Sequence, residues 1–242
     1  MTKKILPIIL LAVAFVTFFS CKKSSPSNAD LTRQYFPIEK GKYVVYDVDS
    51  IYYVAADCTK REFKSQLKYA ITDTFRDTSD RLSYLMDVFT RPNDGITWQP
   101  QRTYQVTPTT NSIRIFQDNN LYVKMMFPVT DGYSWAGNQY VQWHDSLYLY
   151  QKDWNYTYQN YHMAFNNGFV NFDNTVTVLE DDQSISDPNV DSLLPASRTY
   201  AKEVYAYNVG MIYKEWTHWT YQPDTAQCVN GYTVIMRATD HN

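Results

Sequence analysis

The chain has 242 residues with 22 basic and 25 acidic side chains, a net charge of −3, and 17% aromatic residues, among them 22 Tyr, 12 Phe and 6 Trp. That near balance excludes the basic footprint of a nucleic-acid binder, and the length needs no staples to bury a core. With 7 Gly and 10 Pro, this aromatic-rich composition belongs to a folded, strand-rich chain rather than a disordered one.

The first twenty residues read as an export signal. Lys3 and Lys4 precede an apolar run from Ile5 to Phe19, broken only by Pro7 and Thr17, and Ser20 stands before Cys21. The run is shorter than the ~20 residues a permanent membrane helix needs. Residues 21–34 begin CKKSSPSNAD and lack periodicity, so they read as a flexible tether, and residues 35–242 as one domain. The stretch Phe18-Phe19-Ser20-Cys21 resembles a bacterial lipobox with Phe in the usual Leu position. That resemblance implies cleavage before Cys21 and its lipidation, with several acyl chains giving a stable anchor. The alternative is an ordinary secretory peptide that happens to be followed by a Cys. An acidic surface-export cluster after Cys21 is replaced by Lys22, Lys23, Ser24 and Ser25, which leaves the membrane face open.

With Cys21 assigned to the anchor, Cys58 and Cys228 can form one disulfide in an oxidising compartment, or remain two separate thiols. Neither lies in a CxxC pair, and their spacing does not suit a zinc knuckle.

Along the chain, alternation with a period of two recurs. Val44, Tyr46 and Val48 face one way, Val45, Asp47 and Asp49 the other. Phe63, Ser65, Leu67, Tyr69 and Ile71 repeat the pattern within 62–76, and Leu82, Tyr84, Met86 and Val88 within 82–91. The turn Pro92-Asn93-Asp94-Gly95 leads to a strand over 96–106, where Pro100 implies an edge or bulge. Strands over 112–117 and 121–127 flank Asp118-Asn119-Asn120, with Leu121, Val123, Met125 and Phe127 as the apolar face of the second. Residues 131–143 read as a loop that folds back on the sheet. Residues 154–172 alternate poorly and have room for a short helix. A strand over 174–180 precedes a polar surface excursion, 181–195, and strands over 197–207, 210–221 and 231–238 complete the chain. Nine or ten strands without regularly spaced long helices exclude a doubly wound α/β fold. The reading is mainly β: a single strongly curved antiparallel sheet, a half-open meander barrel with loop or short helical segments over one side.

Four ordered blocks, YFPIEKGKYVVYDVDSI, LYVKMMFPVTDGYSWAGN, FDNTVTVLE and EVYAYNVGMIYKEW, resemble a family of Bacteroidetes lipoproteins similar in architecture to periplasmic lipoprotein carriers. The family often has Trp at Tyr43 and Lys-Gly at Tyr207-Asn208. The resemblance implies an unclosed barrel that accepts acyl chains between sheet and lid. Alternation cannot separate such a cleft from a plugged core, because both place apolar residues at every second position.

None of His144, His162, His218 and His241 belongs to a metal or catalytic motif, and no metal or cofactor is expected. His241 stands beside the C-terminus, where disorder is expected. Asp47 and Asp49, on one strand face, have the rough spacing of paired catalytic carboxylates, and Asp181 and Asp182 head a polar loop with a small capacity for Ca²⁺. Phosphate loops, dinucleotide fingerprints and nucleophile elbows are absent. Asp145-Ser146-Leu147, Asp191-Ser192-Leu193 and Asp224-Thr225-Ala226 resemble Bacteroidetes O-glycosylation signals. Trp135, Trp143, Trp154, Tyr156, Tyr158 and Tyr161 crowd the least regular segment, as ligand or partner contacts or as a secondary core. The expected function is a non-catalytic, membrane-anchored protein of the cell envelope, at the outer membrane, that binds an apolar or lipid-like ligand. The alternatives are a structural or protein-interaction lipoprotein, and a hydrolase using a carboxylate pair.

Overall fold

The computed structural model describes residues 32–142, 146–224 and 227–242, apart from the side chains of 146–148. Alternation of apolar and polar residues is converted into twelve antiparallel strands: β1 (Tyr43–Val54), β2 (Thr59–Arg76), β3 (Leu82–Arg91), β4 (Gln99–Pro108), β5 (Ser112–Gln117), β6 (Asn120–Met126), β7 (Ser134–Trp135), β8 (Tyr156–Asn166), β9 (Asn171–Ile185), β10 (Ala196–Ala206), β11 (Gly210–Tyr221) and β12 (Val229–His241). They form one sheet in the order β6-β5-β4-β3-β2-β1-β12-β11-β10-β9-β8-β7. Every neighbour is its sequence neighbour except β1 and β12, which join the two ends of the meander.

The sheet curls until β6 faces β7 and β8, and that seam is held without a strand ladder. The Val123 N–H donates to the Gly137 carbonyl at 2.8 Å and the Trp135 indole N–H to the Val123 carbonyl at 2.7 Å. The Tyr158 hydroxyl bridges the strand end of β6, accepting from the Met126 N–H at 2.9 Å and donating to the Met126 carbonyl at 2.8 Å. Gly137 is needed there. A Cβ at this position would lie 2.5 Å from the Tyr156 ring and push the seam apart.

The faces of β1 are as the alternation implies: Val44, Tyr46 and Val48 are buried, while Asp47 and Asp49 point outward and are half-buried. Leu67, Tyr69, Ile71, Met86, Val88, Tyr104, Val106, Ile113 and Ile115 continue the interior. Several boundaries differ from the sequence reading. Residues 156–166 form β8 rather than a helix, and the strand after Asn171 runs to Ile185, so the excursion is confined to 186–195. His241 is not frayed but closes β12 opposite Val44. The packed chain also begins before residue 35. Thr32 is buried and accepts from the Val129 N–H at 3.3 Å, and Arg33 donates to the Thr109 carbonyl at 2.8 Å. Among the described residues, Arg33–Tyr35 and Ser146–Gln151 form short 3-10 turns. Among the described residues no helix is long and apolar enough to cross a membrane.

The β8–β9 hairpin is longer than the ladder it shares with β10, and its tip folds over the outside of β11 and β12. Asn167 is buried there, donating to the Ala238 carbonyl at 2.8 Å and the Ile212 carbonyl at 3.3 Å. Phe165 meets Tyr213 edge-on at 5.3 Å. A second apolar layer outside the barrel follows, which explains why Val204 and Ile212 are buried beside inward-facing neighbours. Cys58, in the β1–β2 turn, and Cys228, just before β12, form a disulfide with Cα atoms 5.4 Å apart.

Candidate functional site

The interior is built from cross-strand rows. One row runs Val48, Met236, Lys214, Glu203, Val178 and Tyr158, each residue directly opposite the next. Lys214 and Glu203 are therefore neighbours on the inner face, and the Lys214 ammonium donates to Glu203 Oε1 at 2.9 Å.

Two bulges add further charges. Arg114 pairs with Val123 and Ile113 with Met125, so Lys124 is the extra residue of β6. Ala201 pairs with Asp181 and Lys202 with Leu179, so Glu180 is the extra residue of β9. A bulged residue escapes strict alternation and can turn its side chain to the face its neighbours occupy. Lys124 and Glu180 are both buried as a result, and the Lys124 ammonium donates to Glu180 Oε1 and, at 2.8 Å, to Glu203 Oε1. The Tyr205 hydroxyl donates to Glu203 Oε2 at 2.5 Å, and the Tyr156 ring lies 5.5 Å from the Lys124 ammonium. The centre of the barrel thus holds a neutral cluster of two ammonium and two carboxylate groups.

The two carboxylates are not equivalent. Burial by itself would raise the pKa of Glu203, but Lys124, Lys214 and the Tyr205 hydroxyl together outweigh it and hold that carboxyl far below the ordinary 4.5. Glu180 is raised, first by burial and then by the Glu203 charge, with the shared Lys124 only partly offsetting both. Burial, aided by Glu203, also pushes the Tyr205 phenol well above 10. A carboxyl with a depressed folded-state pKa contributes stability above its unfolded-state value, and that contribution disappears as pH falls through the folded-state value. The Glu203 contribution is therefore complete at pH 7 and declines below 4.5. We expect urea midpoints to fall as the pH drops from 5 toward 3 (about 1.4 kcal/mol per unit for one such group). Glu203→Gln should be less stable at pH 7 and show a shallower fall across that window.

Between this cluster and the β1 entrance lies a cavity of about 90 Å³, bordered by Phe36, Pro37, Val44, Tyr46, Tyr69, Ile71, Met86, Ile115 and Met211, with Lys124, Glu203 and Lys214 also in its wall. Binding cavities for drug-sized molecules span roughly 300–1,000 Å³. This one suits a short apolar group or a few waters and is too small for an extended acyl chain.

The aromatic segment is drawn into the seam. Trp135, Trp154, Tyr156 and Tyr158 are all buried, and Tyr161 is half-buried beside Tyr35, 5.9 Å between ring centres. Trp154 donates to the Tyr150 carbonyl at 2.9 Å and Tyr156 to Asn138 Oδ1 at 2.8 Å. Trp143, His144 and Cys21 lie outside the described residues. The remaining histidines are dispersed. His162 contacts Asn174 Oδ1 at 3.0 Å, His241 lies 6.2 Å from the Phe172 ring, and His218 stacks on Tyr150 at 3.8 Å with Thr199 Oγ1 3.0 Å from its Nδ1. Burial lowers the pKa of His218.

Asp47 and Asp49 do share the outer face, but each is engaged. Asp47 Oδ1 accepts from Gln66 at 2.7 Å and Asp49 Oδ2 from Arg237 at 2.6 Å. Asp181 and Asp182 belong to β9, where Asp181 accepts from Gln183 at 2.9 Å and Asp182 pairs with Arg198 at 2.6 Å. Among the described residues no group of three His, Cys, Asp or Glu side chains has the arrangement of a metal site.

Sequence reasoning missed the central cluster. The apolar face Leu121, Val123, Met125 and Phe127 leaves Lys124 on the opposite parity, Glu180 ends the expected strand over 174–180, and Glu203 and Lys214 lie inside the expected strands over 197–207 and 210–221 with nothing local to mark them as a charged core.

No protein-family model matches the chain, and no curated protein matches it. Among solved structures it is similar to an inferred exported protein with a YmcC-like fold from Bacteroides fragilis, at 14% identity and a TM-score of 0.32, covering 85% of this chain and 98% of that one. It is also similar to an inferred lipoprotein from Parabacteroides distasonis, at 12% identity and a TM-score of 0.40, with the same coverage of 85% and 98%. Likenesses this distant say nothing about a ligand, and the barrel assignment rests on the strand order and the seam.

Proposed function

We propose that this chain is a non-catalytic protein of the bacterial cell envelope, held at a membrane by lipidated Cys21, whose barrel is a packed platform that presents its outer surface to another envelope component. The observation that carries this reading is the packing of the described interior: apolar side chains and the Lys124–Glu180–Glu203–Lys214 cluster occupy it, and the cavity beside that cluster measures about 90 Å³. The Cys58–Cys228 disulfide supports export, because such bonds persist in oxidising compartments. The basic, apolar and small-residue order before Cys21 supports the anchor.

A second reading, binding of an apolar or lipid-like ligand, is favoured by the apolar border of the same cavity, Phe36, Ile71, Met86, Ile115 and Met211. In that case the barrel takes in the end of a ligand rather than a whole acyl chain.

One set of measurements separates these readings. Metabolic labelling with a fatty acid should tag the wild-type protein and not Cys21→Ala, which should leave the membrane fraction. Native mass spectrometry of the detergent-extracted protein should show the covalently acylated mass and no further lipid. A lipid retained in one-to-one ratio would establish the ligand-binding reading instead, and an unlabelled wild-type protein would remove the anchor.

A further inference from the structure

The outer face of β1 and β2 carries a groove separate from the filled interior. Its floor is a cross-strand row of planar polar side chains: Arg91 stands opposite Gln66, and Gln66 opposite Asp47. They are joined in sequence, Arg91 Nε donating to Gln66 Oε1 at 2.6 Å and Gln66 Nε2 to Asp47 Oδ1 at 2.7 Å. Arg91 also pairs with Asp94 of the β3–β4 turn. That turn makes one wall, and the β8–β9 tip, through Phe169, makes the other. The groove has two parts of about 530 and about 250 Å³ that share Asp47, Gln66 and Asp94.

We propose that this groove is a binding site for a neutral oligosaccharide. A sugar offers many hydroxyls, each donor and acceptor, around a ring with apolar faces. It is matched by planar polar groups held in fixed orientation beside aromatic area. Each bond within the row fixes a side chain while leaving capacity for a ligand. Asp47 uses Oδ1 on Gln66, leaving Oδ2 as an acceptor, and Arg91 retains guanidinium N–H groups as donors. Trp98, with the Arg91 guanidinium 4.2 Å from its ring centre, stays partly exposed at the rim, so it has area for a sugar face. The lining is close to neutral, with Asp47, Asp49, Asp94 and Asp240 facing Lys64, Lys68 and Arg91. A strongly charged polymer finds no complementary field there, whereas an uncharged, hydroxyl-rich chain needs none. The groove is distinct from the barrel interior, so this assignment stands whether or not the interior holds a ligand.

The test is a screen of the full mature protein against neutral, uronic-acid and sulfated oligosaccharides, followed by titration calorimetry of those retained. Neutral chains of several sugars should bind, with an affinity little changed by salt. Gln66→Ala and Trp98→Ala should each weaken binding about tenfold or more, with far-UV circular dichroism unchanged. Val190→Ser, at a position 85% exposed outside the groove lining, should bind like the parent. Absence of any neutral oligosaccharide among the binders would overturn the assignment. So would salt-sensitive retention of anionic chains alone, or retained affinity in both groove variants.

Discussion

Replacing Lys124 with methionine is expected to cost about 3–5 kcal/mol of folding stability at pH 7, the usual cost of leaving a buried partner charge unpaired. That is a large share of the roughly 5–15 kcal/mol that keeps a domain folded. The loss falls unevenly on the two carboxylates. Glu203 retains the Lys214 ammonium at 2.9 Å and the Tyr205 hydroxyl at 2.5 Å, whereas Lys124 is the cation that bonds Glu180. The Glu180 carboxyl is already raised by burial and the nearby Glu203 charge, so without Lys124 it would rise further and take up a proton as the folded state forms. The sign of the pH dependence follows. A carboxyl whose folded-state pKa lies above its unfolded-state value loses its stabilising contribution as pH rises between the two. The deficit of Lys124→Met should therefore shrink when the pH is lowered from 8 toward 5, and Glu180→Gln added to it should recover much of the stability at pH 7. Urea unfolding of the parent and the two variants at several pH values measures both effects. A deficit that stays constant with pH and is untouched by Glu180→Gln would mean that Lys124 acts through its methylene stem and not through its charge.

The same residues show where the sequence is legible and where it stops. Period-two alternation identifies the buried face of β1 through Val44, Tyr46 and Val48 and of β3 through Met86 and Val88, because an unbroken strand maps sequence parity directly onto sheet face. A bulge breaks that mapping. In β6 the alternation assigns Val123 and Met125 to the core and Lys124 to water, but the extra residue turns Lys124 inward. In β9 the alternation ends the strand at Glu180 and gives Asp181 and Asp182 to a polar excursion, yet the ladder continues past the bulge to Ile185. Both errors concern charged residues, because a propensity-based reading never places a charge in a core unless its partner is known. The partners come from strands distant in sequence, Lys124 meeting Glu180 and Glu203, so no local window contains the pair. The aromatic segment is a different case. Trp135, Tyr156 and Tyr158 lie beside short or bulged ladders, where seam contacts rather than strand pairing decide which ring is buried. The outer groove was half visible. Asp47 and Asp49 were placed on one face correctly, but Gln66, Arg91 and Trp98 reach the same surface only through strand register and the fold of the β3–β4 turn.

Removing the disulfide by Cys58→Ser and Cys228→Ser is expected to lower the unfolding free energy by roughly 3–5 kcal/mol, with the folded barrel unchanged. The reason is topological. Every other full pairing in the sheet joins strands consecutive in the chain, but β1 meets β12 only after the whole meander has been traversed. The bond spans a sequence separation of 170 residues, and it sits where Tyr53 and Gly231 already pair at the end of that ladder. In the native protein it therefore adds little that the ladder has not fixed. In the unfolded chain it keeps the two terminal strands near each other and removes much of the entropy of closing the loop. The difference should appear as a lower urea midpoint for the double variant, and as slower refolding, since the longest-range contact must then be found by an open chain. Reductant added to the wild-type protein should reproduce the variant. An unchanged midpoint would show that β1 and β12 stay associated in the denatured ensemble without the bond, and the stabilisation would then have to be assigned to the ladder alone.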